Sequence, residues 1–531
     1  MRIPLGDLSQ LGIIKDIRDN MLPPNAWTAG QNIRFYDGKV MTARGGTRTM
    51  DPPPIPPYWL QYGLAPSRLD TWIVAGQTQV FAYQNLAYTE ITRASGPYTA
   101  SGSKWNGGIL AGAPIMNNGV DVPQYWQEMN PVNKLVDLPN WPTTWRTKVI
   151  RPYLNFLIAL DVTEGSTEYL HRVRWSDPAQ PGNIPDSWDD TDPTKSAGIA
   201  ELTDVYNGQI VDGEPLRDTF IMYKQRSTWG MKFTGGPYIM DIYPIFHTTG
   251  ALSQNCMCNF GEPAQHFVFT GEDIIAHDGQ QRQSLADKKL RRWIVNNIDM
   301  NNWANSYVVP YTDQNEIWTC IPTKGTGPWP NLAIVWNIVD GTFSYRTLYN
   351  AVYMDVGVDL STIRGLTWAQ DTDTWDIALR PWDTTMAQEY SRIPLQADPV
   401  DTAIIRMDET QQMLNIDYDC SVERTGLALA GTTQGGEPLS NKDVRKLVRG
   451  MWISASGNRF TVQVSRQHEI ESPIQWGNSY TFTPGTDAYI GVMDDGVDQA
   501  CRLFGIRFMW EDKQVGELNS IDVDVEPLGE W

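Results

Sequence analysis

Between Leu60 and Gln411 the sequence keeps returning to one theme: four or five apolar, aromatic or β-branched residues, closed by Asp, Gly, Asn or Pro, then another such run. Runs of this length bounded by turn formers read as strands, because a helix of the same apolar content needs a longer stretch with a 3.6-residue period. The runs fall into groups. Thr71–Ala75, Gln79–Tyr83 and Ala87–Ile91 form the first, and Gly108–Ala111, Pro114–Met116 and Lys134–Leu138 the second. Lys148–Ile150, Phe156–Leu160 and His171–Trp175 follow, then Thr219–Tyr223, Ser227–Met231 and Tyr238–Ile242. Gln265–Phe269 with Asp273–His277 make a fifth, and Ile317–Ile321, Leu332–Trp336 and Thr342–Arg346 a sixth. The seventh has Leu366–Ala369, Thr374–Ala378 and Ala403–Met407. A recurrence of roughly 40–65 residues with three or four strands each is the spacing of propeller blades, which bury their faces only against neighbours.

The expected fold is therefore all-β: a β-propeller of about seven blades, with six to eight possible, followed by a C-terminal β-sandwich-like domain. The 22 Trp, 35 Pro and 44 Gly agree with many short strands joined by turns. Neither a Gly-His/Trp-Asp signature nor a Ser-x-Asp-x-Gly-x-Thr-Trp box appears, and a pair of sandwich domains is the competing architecture. Beyond residue 415 the strands lengthen and alternate, as in Leu447–Ile453, Arg459–Val464, Cys501–Trp510 and Ser520–Val525, which fits a sandwich. The domain expectation is an N-terminal arm and hairpin over 1–50, a propeller-like region over 51–415 and the sandwich-like domain over 416–531. One helix is expected, Ser284–Ile294, with Ser284 capping and Asp287 three residues on. Asp51–Pro57, with four further prolines between its ends besides Ile55, reads as a stiff extended spacer.

The chain carries 42 basic and 62 acidic residues, a formal charge of −20, which argues against wrapping nucleic acid on a basic surface. Five cysteines in 531 residues give no disulfide framework. Neither a secretory signal nor a membrane span is expected, since the N-terminus lacks a basic segment leading to an apolar run and nowhere do eighteen apolar residues run together. His247, Cys256, Cys258 and His266 invite a zinc reading. Cys-x-Cys on a strand sets both sulfurs on one face, but structural zinc prefers paired C-x2-C spacings, so buried small residues are the better account. Asp189-Asp190-Thr191-Asp192, Asp371-Thr372-Asp373, Asp494-Asp495 and Asp522-Val523-Asp524 are carboxylate clusters. Each reads as solvated turn carboxylates before it reads as a glycosidase pair or a calcium loop. No catalytic, cofactor-binding or metal-binding residue is assigned.

Pro23 to Gly46 carries more than local structure. Asp37-Gly38 between Asn32–Tyr36 and Lys39–Thr42 is a type I′ hairpin turn. With Pro24, Trp27, Gly30, Asn32, Arg34, Phe35, Gly45 and Gly46 the stretch resembles the opening of the tail nozzle, or tail tubular B, proteins of short-tailed bacteriophages. Later segments resemble the same family in order and spacing: Val173–Asp177 with Pro185 and Trp188, His277–Gln281 leading to the basic Lys288–Trp293, Trp476, Phe482–Asp487, Arg502, Gly505–Phe508 and Ile521–Trp531. Val515–Ser520 departs from the family pattern, where a Trp followed by an apolar-Gly pair is expected.

The resemblance implies a virion protein without enzymatic activity. It implies a homohexameric tube with a propeller and extra β domains, below tail adaptor proteins under the portal and contacting tail fibres or spikes. The genomic DNA would pass through its lumen without sequence-specific binding, and the protein would be made in the host cytoplasm. Rings of lumen carboxylates are expected to repel the phosphate backbone. A tail-spike-like carbohydrate-binding or carbohydrate-cleaving β protein is the alternative. One further expectation is that Asn32–Tyr36 or Lys39–Thr42 completes the last blade beside Ile404.

Overall fold

The computed structural model describes residues 1–49, 51–100, 104–180, 182–205, 208–236, 238–359, 392–433, 437–492, 500–511 and 513–529. The expected strands Leu366–Ala369 and Thr374–Ala378, and the clusters Asp371–Asp373 and Asp494-Asp495, lie outside them.

Among the described residues, seven antiparallel four-stranded sheets follow one another, beginning at Trp59, Asn106, Trp145, Ile210, Met257, Tyr307 and Tyr353. The first strands of successive sheets mostly pack side by side, and Tyr353–Gly357 packs on Trp59–Leu64, which closes the ring. This is a seven-bladed β-propeller with the first strand of each blade innermost. Each blade buries apolar side chains against the next, as Val149, Ile158 and Val173 of the third do with Phe220, Met222 and Met231 of the fourth. The innermost strands of blades one, four, five, six and seven (Trp59–Leu64, Ile210–Leu216, Met257–Phe260, Tyr307–Tyr311 and Tyr353–Gly357) escape the sequence pattern. Trp59–Leu64 follows a proline run, and Tyr353–Gly357 is interrupted by Asp355 and ended by glycine.

The last blade is completed by Gly46–Arg48, whose residues pair with Ile405, Arg406 and Met407. The ring is therefore closed from the N-terminal side, but not by the hairpin. Ile33–Tyr36 and Lys39–Thr42 form the expected hairpin, with Asp37 and Gly38 at φ 47° and 79°. Lys39–Thr42 then pairs with Gly516–Gly529 in the C-terminal domain. The alternation decides this: Ile33, Phe35 and Val40 are wholly buried in the sandwich core, a face that an outermost blade strand has no means of covering.

The sandwich is built from both ends of the chain. One sheet holds the hairpin, Gly516–Gly529, Arg445–Gly457 and Tyr489–Gly491, with Arg2–Pro4 and Ala500–Cys501 alongside. The other runs Ala29–Gln31, Cys420–Leu427, Leu503–Trp510, Phe460–Gln467 and Gln475–Phe482. Its core, with Trp27, Phe35, Phe460, Phe508 and Trp510, continues without a break into Phe267, Ile317, Trp336 and Phe343 of blades five and six. The sandwich thus shares its hydrophobic core with blades five and six, while the remaining blade interfaces form separate clusters.

The helix spans Arg291–Asn297 rather than Ser284–Ile294. Ser284 ends a strand, and its Oγ accepts the Asp287 N–H at 3.0 Å in the intervening turn. The first helical N–H groups are met from far away: the Asp16 carboxylate accepts from Arg292 and Trp293 at 2.9 and 3.1 Å. No helix among the described residues is long and apolar enough to cross a membrane.

Gly46 has no room for a side chain. A Cβ there sits 2.7 Å from Ile405 Cγ2 and 2.9 Å from both Arg406 O and Met407 Sδ. Gly46→Ala is expected to lower stability by about 1–3 kcal/mol through overpacking, read as a lower urea midpoint. An unchanged midpoint would mean that Gly46–Arg48 does not clasp the ring.

Candidate functional site

The zinc candidates do not converge. His247 is exposed, whereas Cys256 and Cys258 are buried in the shared core, and no group of three metal-ligating side chains occurs among the described residues. His266 belongs to a different constellation. Tyr223 Oη lies 2.6 Å from both His266 Nδ1 and His277 Nε2, all three buried between blades four and five. The outer contacts fix the tautomers. His277 Nδ1 accepts the Gly279 N–H at 3.2 Å, so its proton sits on Nε2 and is donated to Tyr223. His266 Nε2 faces the Pro215 carbonyl at 3.2 Å, so Nε2 carries the proton and Nδ1 accepts the tyrosine hydroxyl. Two neutral imidazoles satisfy every partner. Burial, then the neighbouring His277, pushes His266 down to about 3, and burial pushes His277 down to about 4.

The carboxylate clusters separate into local roles. Asp189 and Asp192 accept the N–H and hydroxyl of Thr191 and Thr194 in an exposed loop, while Asp190 pairs with Arg174 at 2.8 Å. Asp522 holds Arg2, and Asp524 holds the N-terminal amine at 2.8 Å.

The residues of the N-terminal likeness do converge, on the joint between propeller and sandwich. Arg34 reaches Glu316 of blade six at 2.5 Å and Asp408, just past the third strand of blade seven, at 2.9 Å. Arg346 meets the same two carboxylates at 3.0 and 3.1 Å and lies 4.4 Å over the Trp318 ring, whose Nε1 donates to Glu316. Arg346, Glu316 and Asp408 are almost completely buried. Burial opposes ionisation of Asp408, but Arg346 and Arg34 outweigh it and hold the carboxyl down at about 2. Asn32, in the left-handed region at φ 55°, donates to Asp419 O and accepts the Thr347 N–H, both at 2.8 Å. Arg424 is buried and binds the arm through the carbonyls of Asp19, Leu22 and Pro23. Burial lowers its pKa to about 10. Glu316, Arg346, Asp408 and Arg424 carry no signal in the sequence, since a lone charge in a strand looks the same whether it faces water or a partner hundreds of residues away.

A second polar assembly joins the inner strands of the propeller. Arg151 of blade three forks onto Asp212 of blade four at 2.9 and 2.7 Å, and also reaches Gly107 O of blade two and Asn255 Oδ1 before blade five. One guanidinium ties four blades. Nearby inner-strand carboxylates are pushed up by burial, Glu214 to about 7 and Asp355 to about 6.

No family model matches the sequence, and no curated protein matches it. Several solved structures are similar to the chain. Hsv2 of Kluyveromyces lactis aligns at 10% identity over 59% of this chain and 94% of its own, with a TM-score of 0.34. BBS1N, solved in complex with ARL6DN, aligns at 10% identity over 65% and 99%, with a TM-score of 0.31. Apo AztD of Citrobacter koseri aligns at 12% identity over 57% and 86%, with a TM-score of 0.28.

Glu316→Gln leaves two buried guanidinium groups with one carboxylate, and is expected to destabilise by about 3–5 kcal/mol. The wild type should lose stability in two stages on acidification. His266 and His277, depressed from ~6.5, favour the fold fully above that pH and progressively less as it falls toward their folded values of about 3 and about 4. Asp408, depressed from ~3.9, adds a second loss as pH falls from there toward about 2. Denaturation midpoints from pH 7 to 3 test this. Glu214 and Asp355, raised by burial, work in the opposite sense over the upper range, so the histidine stage is read as the difference between the wild type and His277→Gln: equal pH slopes from 7 to 5 would contradict the histidine assignment, and Asp408→Asn should flatten the lower stage.

Proposed function

We propose that the chain is a structural component of a short phage tail: the nozzle, a homohexameric channel that retains the genome and then conducts it into the host. The observation that carries this reading is where the family-like residues of the two ends sit, those at Val173–Asp177 and His277–Gln281 lying in blades three and five. Trp27, Asn32, Arg34, Gly45 and Gly46 from one end, and Gly505–Phe508 and Ile521–Glu526 from the other, build a single joint. Gly45 and Gly505 leave room there only for bare backbone, a Cβ falling 2.4 Å from Gln412 O and 2.5 Å from Ser465 Oγ respectively. Motif residues spent on an interlock, rather than around a cleft, suit a part that must stay rigid while cargo moves past it.

In this reading DNA runs along the axis shared by six copies, and Arg151 with its partners braces the inner strands of each propeller. The −20 charge keeps the duplex from adhering to the wall. Adaptor subunits below the portal and tail fibres or spikes are the partners, and the virion is the destination. The protein acts without catalysis.

Mass measurement and low-resolution imaging of the purified protein test the reading. Hexameric rings are expected, either free or formed from monomers on addition of adaptor subunits. A trimer that cleaves polysaccharide would replace the nozzle with the spike.

A further inference from the structure

The face of the propeller where the inner strands begin carries a cavity of about 310 Å³, between blades two and six. It lies outside the joint and owes nothing to the tube reading. Its floor contains Asp161, 3% exposed, whose Oδ1 has no hydrogen-bond partner. The backbone puts the side chain there deliberately. Asp161 stands at φ 54° where the register with the blade's third strand shifts between Leu160 and Val162, the extra residues lying on Thr167–Trp175, and neither Asp161 nor Lys148 opposite it is paired in the ladder. A bulge re-aims a side chain at the cost of ladder pairing, and Thr147 Oγ1 makes good one lost bond by donating to Leu160 O at 2.8 Å. A buried carboxyl oxygen left without a donor costs free energy, which a ligand hydroxyl or N–H recovers.

The rest of the cavity narrows the ligand. Lys104 Nζ donates to Ser306 O at 2.8 Å and contacts Gln254 O at 3.4 Å, leaving a third N–H. Lys148 and Glu168 pair across the rim at 3.6 Å, each about half exposed. Lys148 and Glu168 neutralise each other, and Lys104 is set against a carboxyl that burial holds partly protonated near neutral pH, so the cavity's net charge is small. Around them stand the Gln254 carboxamide, held by Lys148 O at 3.3 Å, and the half-buried Trp303. Closely spaced donors and acceptors with little net charge, beside an aromatic ring, complement a neutral molecule rich in hydroxyl groups. We propose that this mouth of the propeller is a binding site for a neutral saccharide of one or two rings, with a sugar hydroxyl donating to Asp161 and another accepting from Lys104. The carboxyl's elevated pKa, about 7 from burial and then Glu168 against Lys148, agrees with a group waiting for a partner.

Ligand-observed NMR and calorimetry on the full chain, with D-glucose, D-galactose, N-acetyl-D-glucosamine and sucrose, test the proposal. At least one sugar should bind saturably, and Asp161→Ala should weaken it tenfold or more. Gln254→Ala, which leaves the bulge intact, should weaken it less, and both variants should retain the wild-type far-ultraviolet spectrum. If Asp161→Ala does not fold, Gln254→Ala and Trp303→Ala in the folded protein must still weaken binding. Failure of all four sugars to saturate the wild-type protein, equal binding by the folded variants, or preferential binding of glycine or spermidine would overturn it.

Discussion

Two arginines and two carboxylates, taken out of water together, hold this molecule in register. Arg34 and Arg346 share Glu316 and Asp408 across the seam between the propeller and the N-terminal hairpin. The desolvation of four charges is costly, and it is offset only while all four stay within hydrogen-bond distance. The cluster therefore specifies more than it stabilises. It admits one placement of the hairpin over blades six and seven, and a shift of one residue would strand a guanidinium or a carboxylate in the core. The apolar core continuing from Phe460 and Trp510 to Phe267 and Trp336 supplies the bulk attraction, and the ion cluster supplies the address.

The inner strands repeat the device on another scale. Arg151 joins four successive blades through a fork onto Asp212 and single bonds to Gly107 and Asn255. A propeller whose blades meet only through apolar faces is free to slide slightly at each seam. Directional bonds between the inner strands remove that freedom.

Much of this was legible in the sequence, and what was missed has physical reasons. Turn formers after every four or five apolar residues gave away the repeating strands, and Asp37-Gly38 gave away its hairpin, because each is dictated by local sterics. The closing strand Gly46–Arg48 was hidden: Gly-Thr-Arg has no apolar pattern, and its place depends on backbone room beside Ile405. The hairpin and the closing strand lie in one short stretch, and alternation tells which face is buried but not against which partner. The helix start moved from Ser284 to Arg291 because its cap, Asp16, is supplied from the far end of the chain. The joint was visible as a family-like motif, while Glu316, Arg346 and Asp408 were silent. The cavity floor was silent too, since nothing local marks Asp161 as the point where the register with Thr167–Trp175 shifts.

The weaving of the N-terminal strands into the sandwich has a consequence in time. Thr42 receives the Gly516 N–H across 474 positions, and Arg2–Pro4 pairs with 522–524. Contacts so distant contribute only after a large loop has been closed, and their loop entropy weighs on the rate of folding more than on final stability. The hairpin's buried face, Ile33, Phe35 and Val40, must therefore wait uncovered while the blades are being made. The same interlock that makes the finished molecule a single body makes its synthesis the interval in which it is most open to pairing with the wrong strand.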